Sequence, residues 1–199
     1  GGWPRGDLLE LLVAGHGMGE IRLFEPLMKG CARVLWIDPP WLPHGAALGA
    51  AGMDLSRLTV IRTRSLKERL WATEQALKSG CCDLVLSWFD AVQGPWLRRL
   101  QLAATEGGGT GAVLRSARFA EQGSAAPWRL RLDRRETSPE RLRVHAFKRK
   151  GAMPAPCIDI DLSSSRLSPP AGRANRAADA LPRRPPWQGE GSDSRRGLG

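Results

Sequence analysis

Short apolar runs alternate with segments whose apolar residues recur every three or four positions. The runs of strand length lie at 8–14, 33–38, 58–63, 83–89 and 111–115. Helical spacing of the apolar residues predicts helices at 21–28, 66–77 and 96–104. This order of strands and helices predicts a mostly parallel sheet, flanked by helices on both faces and joined by right-handed crossovers.

Residues that start and stop helices support the same elements. Ser65 and Glu68 form a capping box at the start of one predicted helix, and Gly80 follows its end. Pro95 stands where the next helix begins, and glycines at 107–109 follow its last turn. The helix between Ser65 and Gly80 therefore has the clearest boundaries.

The apolar period changes to two after Arg115. Apolar residues alternate with charged or polar ones at 128–133, 142–147 and 158–162. Such alternation is typical of strands with one buried and one exposed face. We expect these segments to form an antiparallel β extension at one edge of the parallel sheet, within an α/β fold.

Composition separates the patterned part of the chain from its end. We expect residues 1–162 to form one domain and residues 163–199, which are rich in Pro, Gly, Ser, Ala and Arg, to form a disordered basic tail. No uncharged apolar run approaches the ~18 residues of a membrane span. The four cysteines include no Cys-x-x-Cys pair. We therefore expect a cytoplasmic protein with no membrane segment, zinc site or disulfide framework.

Basic residues concentrate between positions 115 and 150, with 11 Lys and Arg against four Asp and Glu, whereas residues 1–114 hold 12 against 11. Clustered cations bind nucleic-acid phosphates without sequence preference and with strong salt dependence. They also protect a sheet edge from unwanted pairing, and both interpretations stay open. The predicted DNA- or partner-binding residues are Arg129, Arg131, Arg134, Arg135, Arg143, Lys148, Arg149 and Lys150.

A glycine-rich loop between the first predicted strand and helix has the frame of a nucleotide-binding P-loop, G-x-x-x-x-G-K-[ST]. Aligned on its second glycine, the loop has Ala for the first glycine, Glu for the lysine and Ile for the hydroxyl residue. A carboxylate ~4 Å from a phosphate charge costs about 4 kcal/mol at an effective dielectric of about 20, where a lysine would gain about as much. We define the degenerate loop as Ala14, Gly15, Gly17, Gly19, Glu20 and Ile21.

The degenerate loop predicts no cofactor binding. Its glycines are better explained by a tight turn and by close packing of a strand against a helix than by a surviving phosphate site. Nucleotide triphosphate is not expected to bind there as it binds in an ATPase.

The order of these motifs resembles the RecA-like fold and, within it, the ImuA family of translesion-synthesis accessory proteins. The strings at 70–80 (LWATEQALKSG) and 97–104 (LRRLQLAA) resemble that family most specifically. The resemblance covers about residues 1–162. Further similar strings lie at 2–6, 8–12, 17–23, 36–43, 52–58 and 142–149.

Recombinases of the RecA-like fold have catalytic groups at strand ends that this chain lacks. Where they place a water-activating carboxylate after the second strand, this chain has two prolines at 39–40. The strand at 83–89 presents Ser87 in place of the Asp that would hold Mg²⁺. Asp38 and Asp90 are better explained as strand-end caps or turn residues than as metal ligands. We expect a protein that is not an enzyme and holds no metal.

Resemblance to ImuA implies a non-catalytic adaptor of the bacterial DNA-damage (SOS) response that supports error-prone translesion synthesis. Its implied partners are an ImuB-like Y-family homologue and an error-prone DnaE-type polymerase, with RecA and DNA as further contacts. The alternative in the same fold is a SulA-like cell-division inhibitor acting on FtsZ, which also lacks nucleotide chemistry. A DNA-dependent ATPase or recombinase is a third hypothesis, and the degenerate loop argues against it.

Overall fold

The computed structural model describes residues 3–135, 138–151 and 157–162, so the predicted tail at 163–199 lies outside the described residues. The strands are β1 (Leu8–Val13), β2 (Val34–Ile37), β3 (Leu58–Ile61), β4 (Leu84–Trp88), β5 (Thr110–Ser116), β6 (Trp128–Arg135), β7 (Ser138–Lys148) and β8 (Ile158–Asp161). The helices are α1 (Glu20–Gly30), α2 (Gly45–Ala50), α3 (Leu66–Lys78) and α4 (Gly94–Gly107).

Within the described residues, the eight strands belong to one sheet, in the order β3-β2-β4-β5-β1-β6-β7-β8. The pairs from β3 to β6 are all parallel, whereas β7 and β8 are antiparallel to their neighbours. The predicted α/β fold, with a mostly parallel sheet and an antiparallel extension at one edge, is confirmed. β1 lies near the middle of the sheet although it comes first in the chain.

The sixth strand corrects one detail of that prediction. β6 is the last parallel strand, since it pairs with β1 in the same direction, so the antiparallel extension consists of β7 and β8 alone. The connection at 117–127 is long enough to cross from β5 over β1, whereas β7 follows β6 almost directly. Alternating polarity predicts which face a residue occupies, but it does not predict strand direction.

Two hydrophobic clusters cover the two faces of the sheet. On one face, Phe24 and Met28 of α1 pack against odd-numbered β1 residues such as Leu11. On the other face, Leu70 of α3 and Leu100 of α4 pack in one cluster with residues of the central strands such as Leu8, Val85 and Val113. In the part of the chain that is described, no helix combines the length and apolar character needed to cross a bilayer.

The predicted boundaries of α3 and α4 agree with the observed ones. The hydroxyl of Ser65 accepts a hydrogen bond from the Glu68 N–H at 3.2 Å, which caps the first turn of α3. Gly80 follows α3 with φ +65°, and Gly108 follows α4 with φ +75°. Both glycines adopt the left-handed conformation that commonly ends a helix.

A buried ion cluster, Glu10, Arg115 and Arg129, joins the three strands at the centre of the sheet. Glu10 of β1 is fully buried; its carboxylate accepts from Arg115 of β5 at 2.5 Å and from Arg129 of β6 at 2.6 Å. Each guanidinium also donates to a backbone carbonyl oxygen, that of Val92 or Phe119. Both guanidinium groups share the one carboxylate, so the buried cluster keeps an excess of positive charge, and Arg115 Nε has no hydrogen-bond partner among the described residues.

We expect Glu10→Gln to lower the free energy of unfolding by about 3–5 kcal/mol, because two buried guanidinium groups lose the charge that compensates them. Urea denaturation of the full chain measures the change. Lys78→Ala is the control, since it breaks an exposed ion pair with Glu106 at 3.4 Å and should cost less than about 1 kcal/mol. Equally small effects in both variants would contradict a structural role for the cluster.

Candidate functional site

The degenerate loop lies between β1 and α1, at the carboxyl edge of the sheet. Gly17 and Gly19 have φ values of +78° and +102°, a conformation that favours glycine. A Cβ on Gly19 would lie 2.8 Å from Cδ1 of Leu162, so glycine also allows the residue after β8 to pack on the loop. Arg22 of α1 donates to the Leu162 carbonyl oxygen at 2.5 Å. This geometry agrees with the predicted tight turn, but the close contact of Gly19 is with Leu162, and a Cβ on Gly15 or Gly17 would meet nothing within 4 Å, so the predicted strand–helix packing is not what these glycines provide.

Glu20 turns its carboxylate back into the degenerate loop. It is the first residue of α1, is 4% exposed, and accepts a hydrogen bond from the Gly17 N–H at 3.0 Å. A helix N-terminus stabilises negative charge, so the carboxylate is favourably placed there. Backbone N–H groups of a P-loop normally face phosphate. Here one of them is already bound, and the carboxylate that binds it repels an incoming anion.

An apolar cavity of about 270 Å³ lies beside the degenerate loop, near the carboxyl ends of β2 and β4. Trp36 and Trp88 line it, and their rings meet edge to face with centroids 5.7 Å apart. Neither indole N–H has an acceptor among the described residues. Arg22 also lines the cavity, but its guanidinium is bound to the Leu162 carbonyl oxygen. The cavity therefore suits an apolar group better than a phosphate.

Asp38 has a structural role at the same edge. It follows β2 with φ +50°, and its carboxylate accepts from the N–H and hydroxyl of Thr63 and from Arg69 Nε at 2.6 Å. Burial raises the pKa of Asp38, but the hydrogen bonds from Thr63 and Arg69 outweigh burial and hold this pKa below its ordinary value. Arg69 also donates to the Trp88 carbonyl oxygen at 2.9 Å. Asp38 thus links the ends of β2 and β4 to α3.

The strand-end carboxylates are not grouped as metal ligands. Asp90 is exposed, whereas Asp38 is buried and bonded to Thr63 and Arg69. Within residues 3–135, 138–151 and 157–162, no group of three or more His, Cys, Asp and Glu side chains is placed to hold a metal ion. The arrangement agrees with the turn role predicted for Asp38.

Arg129 corrects the predicted DNA-binding set. It is 6% exposed and bound to Glu10, so its charge is used inside the domain. Alternation along β6 places Arg129 on the polar face, but that face is covered locally by the 3-10 turn Ala117–Phe119, whose last carbonyl accepts from Arg129. The alternating pattern of β6 could not predict the burial of Arg129, because it depends on packing of a turn from another part of the chain.

Several other predicted cations have partners that reduce the positive potential of the segment. Arg134, Lys148 and Arg149 are exposed, and the side chain of Arg135 lies outside the described residues. Binding of DNA by the remaining cations stays a prediction. The contacts of these cations are Arg131 with Asp133 at 3.1 Å, Arg143 with Asp159 at 2.8 Å, Lys150 with Asp7 at 3.1 Å, Lys148 with the Ser124 carbonyl oxygen at 2.8 Å, and Arg149 over Trp128 at 5.9 Å.

The sequence analysis missed the apolar cavity and the loop beside it. Trp41 and Leu42 line the cavity yet are 71% and 79% exposed. The signal was present in the string at 39–43, PPWLP, because large apolar residues stand there between prolines that cannot continue a strand or helix. Because these residues lie outside any helix or strand, no packed face of an element buries them in the core.

Comparison with known proteins finds no matching family model. The chain is 26% identical over 130 residues to the cell division inhibitor SulA of Photorhabdus laumondii subsp. laumondii, covering 63% of this chain and 68% of that protein. It is 31% identical over 80 residues to the cell division inhibitor SulA of Edwardsiella piscicida, covering 40% of this chain and 48% of that protein. The chain is thus homologous to SulA at low identity.

Solved structures show the fold. A RadB recombinase superposes with a TM-score of 0.65 at 15% identity, over 81% of this chain and 89% of the recombinase. SulA from Pseudomonas aeruginosa aligns with a TM-score of 0.46 at 22% identity, over 54% of this chain and 97% of that protein. The likeness to RadB confirms the predicted RecA-like fold. The resemblance to ImuA stays a prediction.

We expect the affinity for DNA to fall steeply with salt, because cations in the basic segment would release counterions from the phosphates. Joint charge reversal of Lys148, Arg149 and Lys150 should weaken binding and reduce the slope of log affinity against log salt by about 2–3. Fluorescence anisotropy with a labelled duplex measures both. Charge reversal of Lys29 and Lys78, on α1 and α3, is the control. Unchanged affinity in the triple variant would reject the basic segment as a DNA site.

Proposed function

We propose that this chain is a non-catalytic RecA-like accessory protein of the bacterial DNA-damage (SOS) response. The observation that carries the proposal is the Glu20 carboxylate, buried in the degenerate loop and bound to the Gly17 N–H. Enzymes with this fold bind nucleotide phosphates at this loop. In this chain the same loop presents a negative charge, which repels a phosphate. Low-identity homology to SulA, a protein of the SOS response, supports the same setting.

Support of error-prone translesion synthesis is the role that we propose for this accessory protein. The ImuA-like strings at 70–80 and 97–104 support this assignment. In this proposal an ImuB-like Y-family homologue and a DnaE-type polymerase are the partners, RecA and DNA are further contacts, and catalysis belongs to the polymerase. The chain would act through contacts with these proteins.

Inhibition of cell division is a second candidate. Both curated relatives are named as cell division inhibitors, and the first match extends over 68% of the relative. In this candidate the chain would bind FtsZ and slow its polymerisation after DNA damage. Neither candidate requires bound nucleotide on this chain.

We expect the full chain to show no saturable binding of fluorescent ATP with Mg²⁺ and no ATP turnover, with or without single-stranded DNA. The reason is the negative charge that Glu20 places in the loop. A RecA-type ATPase assayed in parallel provides the positive control. Turnover that disappears in Glu20→Gln would overturn the non-catalytic proposal and support a DNA-dependent ATPase.

Partner assays separate the two candidates. For the translesion role, we expect the chain to co-purify with the ImuB-like homologue encoded in the same genome and to leave FtsZ assembly unchanged in light scattering. Division inhibition predicts the reverse result, with filamentous cells on expression and slowed FtsZ assembly. The absence of an ImuB complex would count against the translesion role.

A further inference from the structure

Large apolar side chains are exposed where β2 and β3 end. Trp41, Leu42 and Leu66 are 71%, 79% and 49% exposed. Exposed large apolar residues at one edge of a domain commonly mark an interaction site, and Trp41 and Leu42 are neighbours in the chain. Trp41 and Leu42 also line the apolar cavity, so the exposed patch continues into a concave one.

Three cations lie beside these apolar residues. Arg62 donates to the Pro39 carbonyl oxygen, which holds the end of β3 against the segment that carries Trp41. Arg64 and Lys67 follow at the start of α3, and all three cations are exposed. We name Trp41, Leu42, Arg62, Arg64, Leu66 and Lys67 the carboxyl-edge surface.

The carboxyl-edge surface has a positive balance because its cations outnumber the carboxylates that have no cationic partner. Asp38 is paired with Arg69 at 2.6 Å, so this pair adds no net charge. Glu68 is exposed, but one carboxylate oxygen accepts from the Arg64 N–H at 2.7 Å. Three exposed cations therefore outnumber the exposed Glu68 carboxylate and the buried Glu20 carboxylate of the cavity wall, and the cations would attract an acidic partner.

The cavity supplies an anchor point next to this charge. Its volume of about 270 Å³ and mainly apolar walls suit one aliphatic or aromatic side chain. Trp36 and Trp88 contribute aromatic side chains to its wall, and because their indole N–H groups are buried, the wall that they present is apolar. Glu20 forms part of the wall and disfavours a phosphate there.

We propose that the carboxyl-edge surface docks an acidic segment of a partner protein, with one apolar side chain of that segment in the cavity beside the degenerate loop. The inference rests on the proposed non-catalytic function, since such a protein acts by contact. The cations attract the segment and set its orientation, while the apolar anchor supplies most of the affinity. A peptide satisfies both the cations and the apolar cavity, whereas a nucleic acid satisfies only the cations and exposed indole of Trp41.

Selection from a phage-displayed library of random peptides of about 12 residues tests the chemistry of the occupant on the full chain. We expect the enriched peptides to be net acidic and to carry a Leu, Ile, Phe or Trp anchor. Basic or purely polar consensus peptides, or no enrichment, would overturn the proposal.

Variants then test the surface with the best selected peptide, labelled for fluorescence anisotropy. Trp41→Ala with Leu42→Ala, and Arg64→Glu with Lys67→Glu, should each weaken binding by about tenfold or more. Leu102→Ala with Arg98→Glu, at exposed positions of α4, should leave affinity unchanged. Thermal melts establish that each variant is folded. Equal affinity across all folded variants would overturn the proposal.

Two further measurements separate other occupants. Binding of labelled oligothymidylate that is stronger than peptide binding and is lost in the same variants would assign the surface to nucleic acid and reject the proposal. Sedimentation that shows a dimer abolished by Trp41→Ala with Leu42→Ala would assign it to a second copy, with the same consequence.

If the ImuB-like homologue co-purifies with wild type and that double variant alike, the proposed function stands and the docking surface fails. If acidic peptides bind as expected but no predicted partner does, the surface stands and the proposed function fails.

Discussion

The centre of the sheet depends on one buried carboxylate held by two guanidinium groups. Glu10 on β1 is bonded to Arg115 on β5 and Arg129 on β6, and all three side chains are buried. A buried ion pair is weak evidence for net stability, because desolvation offsets much of the Coulomb attraction, but an unmatched charge is strongly unfavourable. The cluster therefore penalises any arrangement in which β1 has other neighbours. Since β1 leads directly into the degenerate loop, this pairing also fixes where the loop lies.

Two buried carboxylates at the carboxyl edge are bonded to groups of the protein itself. In open α/β sheets this edge is where ligands bind and where catalytic groups stand. Here Glu20 binds its own loop, and Asp38 binds Thr63 and Arg69. What remains accessible beside them is an apolar cavity and exposed Trp41. The edge has the position of an active site and the surface chemistry of a protein interface.

Local patterns predicted most of the fold, and long-range contacts account for what they missed. The elements β1, α1, α3 and α4 follow from apolar period and from stop and start residues such as Ser65 and Gly80, which act within a few positions of the chain. The direction of β6 and the burial of Arg129 depend on a crossover and on a turn that covers β6. The altered charge of the degenerate loop was visible in its sequence. For the cavity, only the apolar residues between prolines at 39–43 gave a signal, and its shape was not predictable because segments distant in sequence line it.

The long sequence separation between the residues of the ion cluster limits how early the domain can fold during synthesis. Arg115 and Arg129 lie 105 and 119 residues after the carboxylate they compensate. During synthesis from the N-terminus, Glu10 emerges long before either arginine, so β1 has no counter-charge with which to be buried while much of the domain is still on the ribosome. Non-local pairing of this kind folds slowly and leaves apolar strands exposed for longer. We therefore expect the nascent chain to depend on chaperones more than the completed, folded chain does.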